Sequence, residues 1–266
     1  MKMDRVTSRD NTLLRQVRAV RDGKMGELVF VEGLRLCEEA HRSRLEIDAV
    51  VVSEELLRKE RAAVPIAELS SVARRVVSVS EKLLESVSYT KTPQGIIVLA
   101  RRPEASEARL ATSLGTSSLL VVLHQINNPV NVGAIVRTAE AAGATGVITT
   151  RNTSDPFSPK SLRGAMGSAF RLPMWSGADY TEVIQWCRKR AIVTICADVG
   201  ASDTYLDLDW TGPRALLLGP ESTGFTPEEL QQADRRVSIP MKGTAESLNV
   251  SVAAGILLFE AARQRL

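Results

Sequence analysis

Aromatic side chains are scarce. Phe, Trp and Tyr together make up 4% of the 266 residues, too few for an extended platform on which bases stack. Two histidines, His41 and His124, and three cysteines, Cys37, Cys187 and Cys196, are the whole stock of soft metal ligands. Their spacing fits neither a zinc knuckle nor a CxxC redox pair. No metal is therefore expected, and the thiols are expected to be buried in a reducing compartment. No apolar run approaches the roughly 20 residues that cross a bilayer, the stretches around Leu216–Leu218 and Ala253–Phe259 falling far short. The opening MKMDRVTSRDNTLLRQ is basic and polar, without an apolar signal core, so a cytoplasmic chain with no membrane partner is expected. Two phosphate-binding signatures are also missing: no GxGxxG follows a strand-like run, and no GxxxxGK[ST] occurs. A dinucleotide-binding dehydrogenase and a P-loop enzyme are thereby excluded.

What is present is the composition of a folded protein, 44% hydrophobic and 24% charged, with too many apolar residues for disorder. The net charge is +3, and the whole surplus lies in residues 1–105. Its first 24 residues hold seven basic side chains against three acidic. That edge suits phosphate contact, although an ordinary solvated helix face has the same look. A seam rich in Ser, Thr, Ala and charge covers residues 101–118. It predicts two domains, residues 1–105 and 119–266, joined by a linker over 106–118.

Both halves alternate apolar β-branched runs with amphipathic ones, the pattern of an α/β fold with sheets covered by helices. In the first, strands are expected at 28–33, 47–53, 76–80 and 95–100, with helices at 12–23, 34–43, after 53 and after 80. In the second, strands are expected at 119–126, 145–150, 191–198, 215–220 and 235–241, and helices at 131–142, 179–190 and 248–266.

Three segments of the second half carry chemistry. In HQINNPVNVGAIVRTAEAAGATGVI (124–148) a buried strand runs out into polar residues and a helix begins. Asn131 is placed to cap that helix. Arg137 lies one turn beyond Gly133, on the same face, towards the strand-end crevice where open α/β sheets bind ligands. In ALLLGPESTGFTPEEL (215–230) a strand stops at Gly219, where a missing side chain lets a ligand approach, and the carboxylate of Glu221 follows. In RRVSIPMKGTAESLNVSVAAGILLFEAARQ (235–264) a strand ends at Ile239-Pro240-Met241 and Ser247-Leu248-Asn249 opens a long helix. Free amides there can bind a polar ligand. Taken singly, each is equally a plain strand–loop–helix junction. The apolar stripe Val250, Ala253, Ala254, Leu257, Leu258 and Ala261 reads as core or as a subunit interface.

Together and in this order, NPVNVGAIVRTA (128–139), LLLGPESTG (216–224) and IPMKGTAESLNVSVAAGILLFE (239–260) resemble the three signature motifs of the SpoU/TrmH branch of the SPOUT RNA 2′-O-ribose methyltransferases. VEGLRLCEEA (31–40) and KTPQGIIVLA (91–100) are similar to that family's N-terminal RNA-binding extension. The resemblance implies a C-terminal α/β-knot domain, a deep trefoil knot, behind a smaller ribosomal-protein-like α/β domain. Such threading is outside the usual rules of chain connection. It implies S-adenosylmethionine as cofactor, held by Gly219 and the loop after it, Ile239, Met241, Ser247 and Leu248. It implies a homodimer and an RNA substrate. The size of the first domain favours 23S ribosomal RNA over tRNA, and antibiotic-resistance members share the layout. A catalytically inactive RNA-binding or ribosome-assembly module is the contrasting reading, and the intact Asn131, Arg137, Glu221 and Asn249 set argues against it.

The same resemblance points to Arg137 as the central catalytic residue, either as a general base or as a bidentate clamp on the target phosphate. A free guanidinium keeps its proton at ordinary pH, which favours the clamp. Asn131 is expected to orient the ribose or Arg137, Glu221 to pair with Arg137 or hold a polar ligand group, and Asn249 to bond cofactor or sugar. His124 is expected to be structural. In SPKSLRGAMGSAFRLP (158–173), Arg163 is the first candidate for RNA contact and Arg171 the second.

Overall fold

A computed structural model describes residues 3–266. The chain divides into two compact units, one running to Pro103 and taking in Phe157–Arg171, the other made of Glu104–Pro156 and Leu172–Leu266. The first opens with β1 (Asp4–Val6), α1 (Thr12–Arg21), β2 (Leu28–Glu32) and α2 (Leu34–Arg42). It continues with β3 (Ile47–Ser53), α3 (Glu54–Leu57), α4 (Ala63–Val72), β4 (Arg75–Val79), α5 (Glu81–Glu85) and β5 (Ile96–Arg101). The second unit then begins with α6 (Glu107–Ala111), β6 (Leu119–Leu123), α7 (Pro129–Ala141) and β7 (Gly146–Thr150). Residues 157–171, with α8 (Pro159–Ala165) and α9 (Ser168–Arg171), belong to the first unit. The second resumes with β8 (Met174–Ala178), α10 (Tyr180–Lys189), β9 (Val193–Ala197), β10 (Arg214–Leu218), α11 (Pro227–Gln232), β11 (Arg235–Val237) and α12 (Val250–Gln264).

In the first unit the sheet order is β1-β4-β3-β5-β2. β1, β4 and β3 are parallel, while β5 runs antiparallel to both β3 and β2. Leu14 and Val17 of α1 pack with Phe30, Val51, Ile97 and Leu99 of the sheet. β1 is three residues long, too short to show a period, and has no counterpart among the expected strands.

The second unit's sheet, β11-β9-β10-β6-β7-β8, is parallel at every pairing. Every residue of β6 and β7 is buried, as expected of parallel strands covered on both faces. Trp186, Ile184 and Cys187 of α10 pack with Leu120, Val122, Ile148 and Leu217. α7 and α12 lie against each other, with Ala254, Leu257, Leu258 and Ala261 of α12 buried. β8, read as MWSGA, carries no β-branched residue and was not expected. Residues 238–241, expected to continue β11, have no regular structure beyond a single bridge from Ser238 to Thr204, and the helix expected from 248 begins at Val250.

All three cysteines are free and buried. Burial pushes the thiols of Cys187 and Cys196 up to about 12 and that of Cys37 higher still, so none is a ready nucleophile. Among the described residues no helix is long and apolar enough to cross a membrane.

Candidate active site

Parallel α/β sheets deliver their loops to one edge, beyond the carboxyl ends of the strands. Here that edge receives the segments after β6, β10 and β11, and three polar side chains from them meet. Asn131 Nδ2 donates to Glu221 Oε2 at 2.7 Å. Asn249 Nδ2 donates to Asn131 Oδ1 at 3.4 Å, a longer and weaker contact. Asn249 Oδ1 in turn accepts from the amide of Ser251 at 2.9 Å, capping α12. One residue from each of the three motifs, 90 and 118 positions apart, therefore shares a single hydrogen-bonded chain.

The local arrangement differs from that expected in three places. Asn131 does not cap α7. Asn128 does, accepting from the amide of Val130 at 3.0 Å, with Pro129 as the first helical residue. That shift places Asn131 inside the first turn and buries it, so its amide must find partners within the protein. Gly219 is also required for a reason other than ligand approach. A β-carbon there would come within 2.7 Å of the Phe225 ring, so the ring fills the space a side chain would need. The pairing of Glu221 with Arg137 does not form: the carboxylate is engaged by Asn131 instead.

Arg137 is exposed on α7, and among the described residues it makes no hydrogen bond or ion pair. Gly219 and Ile239 are half-buried, as is Leu248, while Met241 and Ser247 are exposed. Between 241 and 249, no backbone amide donates to another described group. Such a run of free donors beside half-buried apolar residues suits a polar ligand bound through backbone groups. Among the described residues no three His, Cys, Asp or Glu side chains converge on a metal-sized site.

The two resembling segments of the first unit also meet. Glu32 is buried, and its carboxylate accepts from the amides of Tyr89 at 3.0 Å and Thr90 at 3.1 Å and from the Thr90 hydroxyl at 2.6 Å. Gly33 has φ 99°, and a β-carbon there would lie 2.9 Å from Gln94 Oε1. In the same unit Arg171 is engaged by Glu39 at 2.7 Å and Ser43 at 3.3 Å. Arg163, on α8, is exposed and pairs with no described residue.

Taken alone, the fold and the polar chain define an α/β domain in which three loops bring polar side chains together at one edge of a parallel sheet. Residues 118–259 match the SpoU rRNA Methylase family, and residues 13–98 match the MRM3-like substrate binding domain. The chain belongs to the SpoU rRNA Methylase family. Among its relatives, an uncharacterized tRNA/rRNA methyltransferase of Mycobacterium avium is 40% identical over 56% of this chain but 48% of its own length. The 23S rRNA (guanosine-2′-O-)-methyltransferase RlmB of Ralstonia nicotianae is 32% identical over 84% of this chain and 92% of its own. Among solved structures, an AdoMet-bound rRNA methyltransferase from Sinorhizobium meliloti superposes with a TM-score of 0.87 at 29% identity, covering 99% of each chain.

Proposed function

We propose that this chain transfers a methyl group from S-adenosylmethionine to a ribose 2′-hydroxyl of RNA, with 23S ribosomal RNA as substrate. The observation that carries this reading is the meeting of Asn131, Glu221 and Asn249, one from each motif, beside a segment with free backbone amides. The activity of the Ralstonia nicotianae relative and the AdoMet-bound neighbour support it.

The cofactor site proposed is the loop after Gly219 together with Ile239, Met241, Ser247 and Leu248. The half-buried apolar side chains suit the adenine and the free amides of 241–249 its polar edges. Bound there, the cofactor supplies an electrophilic methyl carbon on a positively charged sulfur. The protein's part is alignment, and removal of the hydroxyl proton as the oxygen–carbon bond forms and the carbon–sulfur bond breaks. Arg137, engaged by no described group, offers a planar fork to the target phosphate and to negative charge developing on the oxygen. Asn131, fixed by Glu221, presents its remaining amide hydrogen and carbonyl capacity to the sugar. The first unit, with Arg163, provides the RNA-binding surface.

The active form proposed is a homodimer in the cytoplasm. Val252 and Phe259, two turns apart on α12, are 51% and 54% exposed, and Val130 at the start of α7 is 46% exposed. Exposed apolar side chains along packed helices suit an interface between copies, and light scattering of the purified protein should give twice the chain mass.

The direct test presents purified 23S rRNA and bulk tRNA separately with methyl-labelled S-adenosylmethionine. Label should enter 23S rRNA as a 2′-O-methyl nucleoside, found by mass spectrometry after nuclease digestion. Label in tRNA alone would replace the substrate, and label in neither would support the inactive module.

A further inference from the structure

The histidine at the end of β6 has more to do than fill space. The His124 amide donates to Leu218 O at 2.9 Å, so the residue sits level with the point where β10 gives way to Gly219. Its side chain is 3% exposed. The ring lies between Tyr180, with centroids 4.6 Å apart, and Phe225, at 5.7 Å and nearly parallel. Both nitrogens are engaged. Nδ1 is 3.0 Å from Thr150 Oγ1, at the end of β7, and Nε2 is 2.9 Å from Glu229 Oε1, on α11.

These contacts reach both ends of the loop that follows β10. At its start, the Phe225 ring occupies the space above Gly219 that a side chain would fill. At its end, Glu229 closes the capping box of α11, its Oε2 accepting from the Thr226 amide at 2.8 Å while Thr226 Oγ1 accepts from the Glu229 amide at 3.2 Å. Tyr180 adds a bond from its hydroxyl to Glu229 O at 3.0 Å. Between these two anchors lies Glu221, whose carboxylate holds Asn131. Burial favours the uncharged ring over the pull of Glu229. A neutral ring facing an ionised Glu229 carries its proton on Nε2, donates it to Oε1, and accepts the Thr150 hydroxyl at Nδ1.

We infer that His124 is a positioning residue for cofactor binding: by tying α11 and Phe225 to the ends of β6 and β7, it fixes the shape of the loop Gly219–Thr226 and, through it, the place of Glu221. This rests on the reading that the same loop holds S-adenosylmethionine. The bond that matters is the one to Glu229, because it is the hydrogen bond by which His124 holds the start of α11.

Three substitutions separate the contacts. His124→Gln keeps a donor at the Nε2 position, His124→Asn keeps a polar group only near Thr150, and His124→Phe keeps the ring alone. Titration of the full-length protein with S-adenosylhomocysteine should give a Kd raised about tenfold in the Asn and Phe variants, the cost of a half-buried carboxylate losing its partner. The Gln variant should stay near wild type. The KM for S-adenosylmethionine should rise in parallel while that for RNA holds. A merely structural histidine would lower Tm in all three and leave cofactor affinity within twofold, and that result overturns the inference. Should the Asn and Phe variants fail to fold, Thr226→Ala, at the exposed end of the same capping box, must show a smaller weakening in the same direction, and unchanged affinity there also overturns it. Leu248→Trp, which crowds the other wall of the proposed cofactor site, is the control. If it too binds normally, the cofactor reading fails; if it alone loses binding, only the role of His124 fails.

Discussion

The two sheets of this protein place their polar residues differently. In the first unit, a mixed sheet with antiparallel β5 and β2 sends its loops to both ends, and a buried polar junction, Glu32 with Tyr89 and Thr90, ties the chain to itself. In the second, every strand points the same way, and the loops after β6, β10 and β11 bring Asn131, Glu221 and Asn249 together. A parallel sheet concentrates chemistry at one edge, whereas a mixed sheet offers a surface. On that ground the proposed catalysis falls to the second unit and the proposed RNA contact to the first.

The largest effect that would break this division is at Arg137. Arg137→Lys should lower kcat about 100-fold or more, because lysine keeps the charge but not the planar fork. Affinity for S-adenosylhomocysteine should stay within twofold. Near-normal turnover in that variant would remove both the clamp and the base from the account. A smaller effect is expected in the first unit. Arg163→Ala should raise the KM for RNA severalfold, leave kcat nearly unchanged and make binding less dependent on salt, as the loss of one phosphate contact does. A fall in kcat instead would move part of the chemistry out of the second unit.

The smallest effect is on stability and belongs to His124. Its folded-state value lies below the ordinary histidine value because burial outweighs the charges facing it, Glu229 and Asp179. As pH falls through the unfolded value of about 6.5, the unfolded chain takes up a proton that the folded chain refuses, so this contribution to stability, complete above that range, is progressively lost. Tm should therefore drop more steeply between about pH 7.5 and about 5.5 in wild type than in His124→Gln. Parallel curves would contradict it.

Much of this was legible in the chain. The expected strand at 145–150 is β7 at Gly146–Thr150, and the expected helix at 179–190 is α10 at Tyr180–Lys189, because apolar periodicity and an Asp179 cap mark them. Short edge elements were not: β1 and β8 lack a readable pattern, and Ala, Gly and Ser in β8 carry no strand preference. α7 starts two residues before the expected position 131, and Asn128-Pro129 is itself a cap-and-N1 signal. The motif order pointed to Asn131, Glu221 and Asn249, but not to which pairs would touch. Their hydrogen bonds, and the stacking of Phe225 on His124, join residues about a hundred apart. Such contacts follow from sheet order, which local patterns do not encode.

The most direct measurement is a crystal structure of the full-length protein with S-adenosylhomocysteine. The ligand should lie against the backbone of the Gly219 loop and of residues 239–249, its sulfur facing the side of the site that holds Asn131. Density for the ligand in the first unit, or beyond β7 and β8 with residues 239–249 untouched, would contradict it.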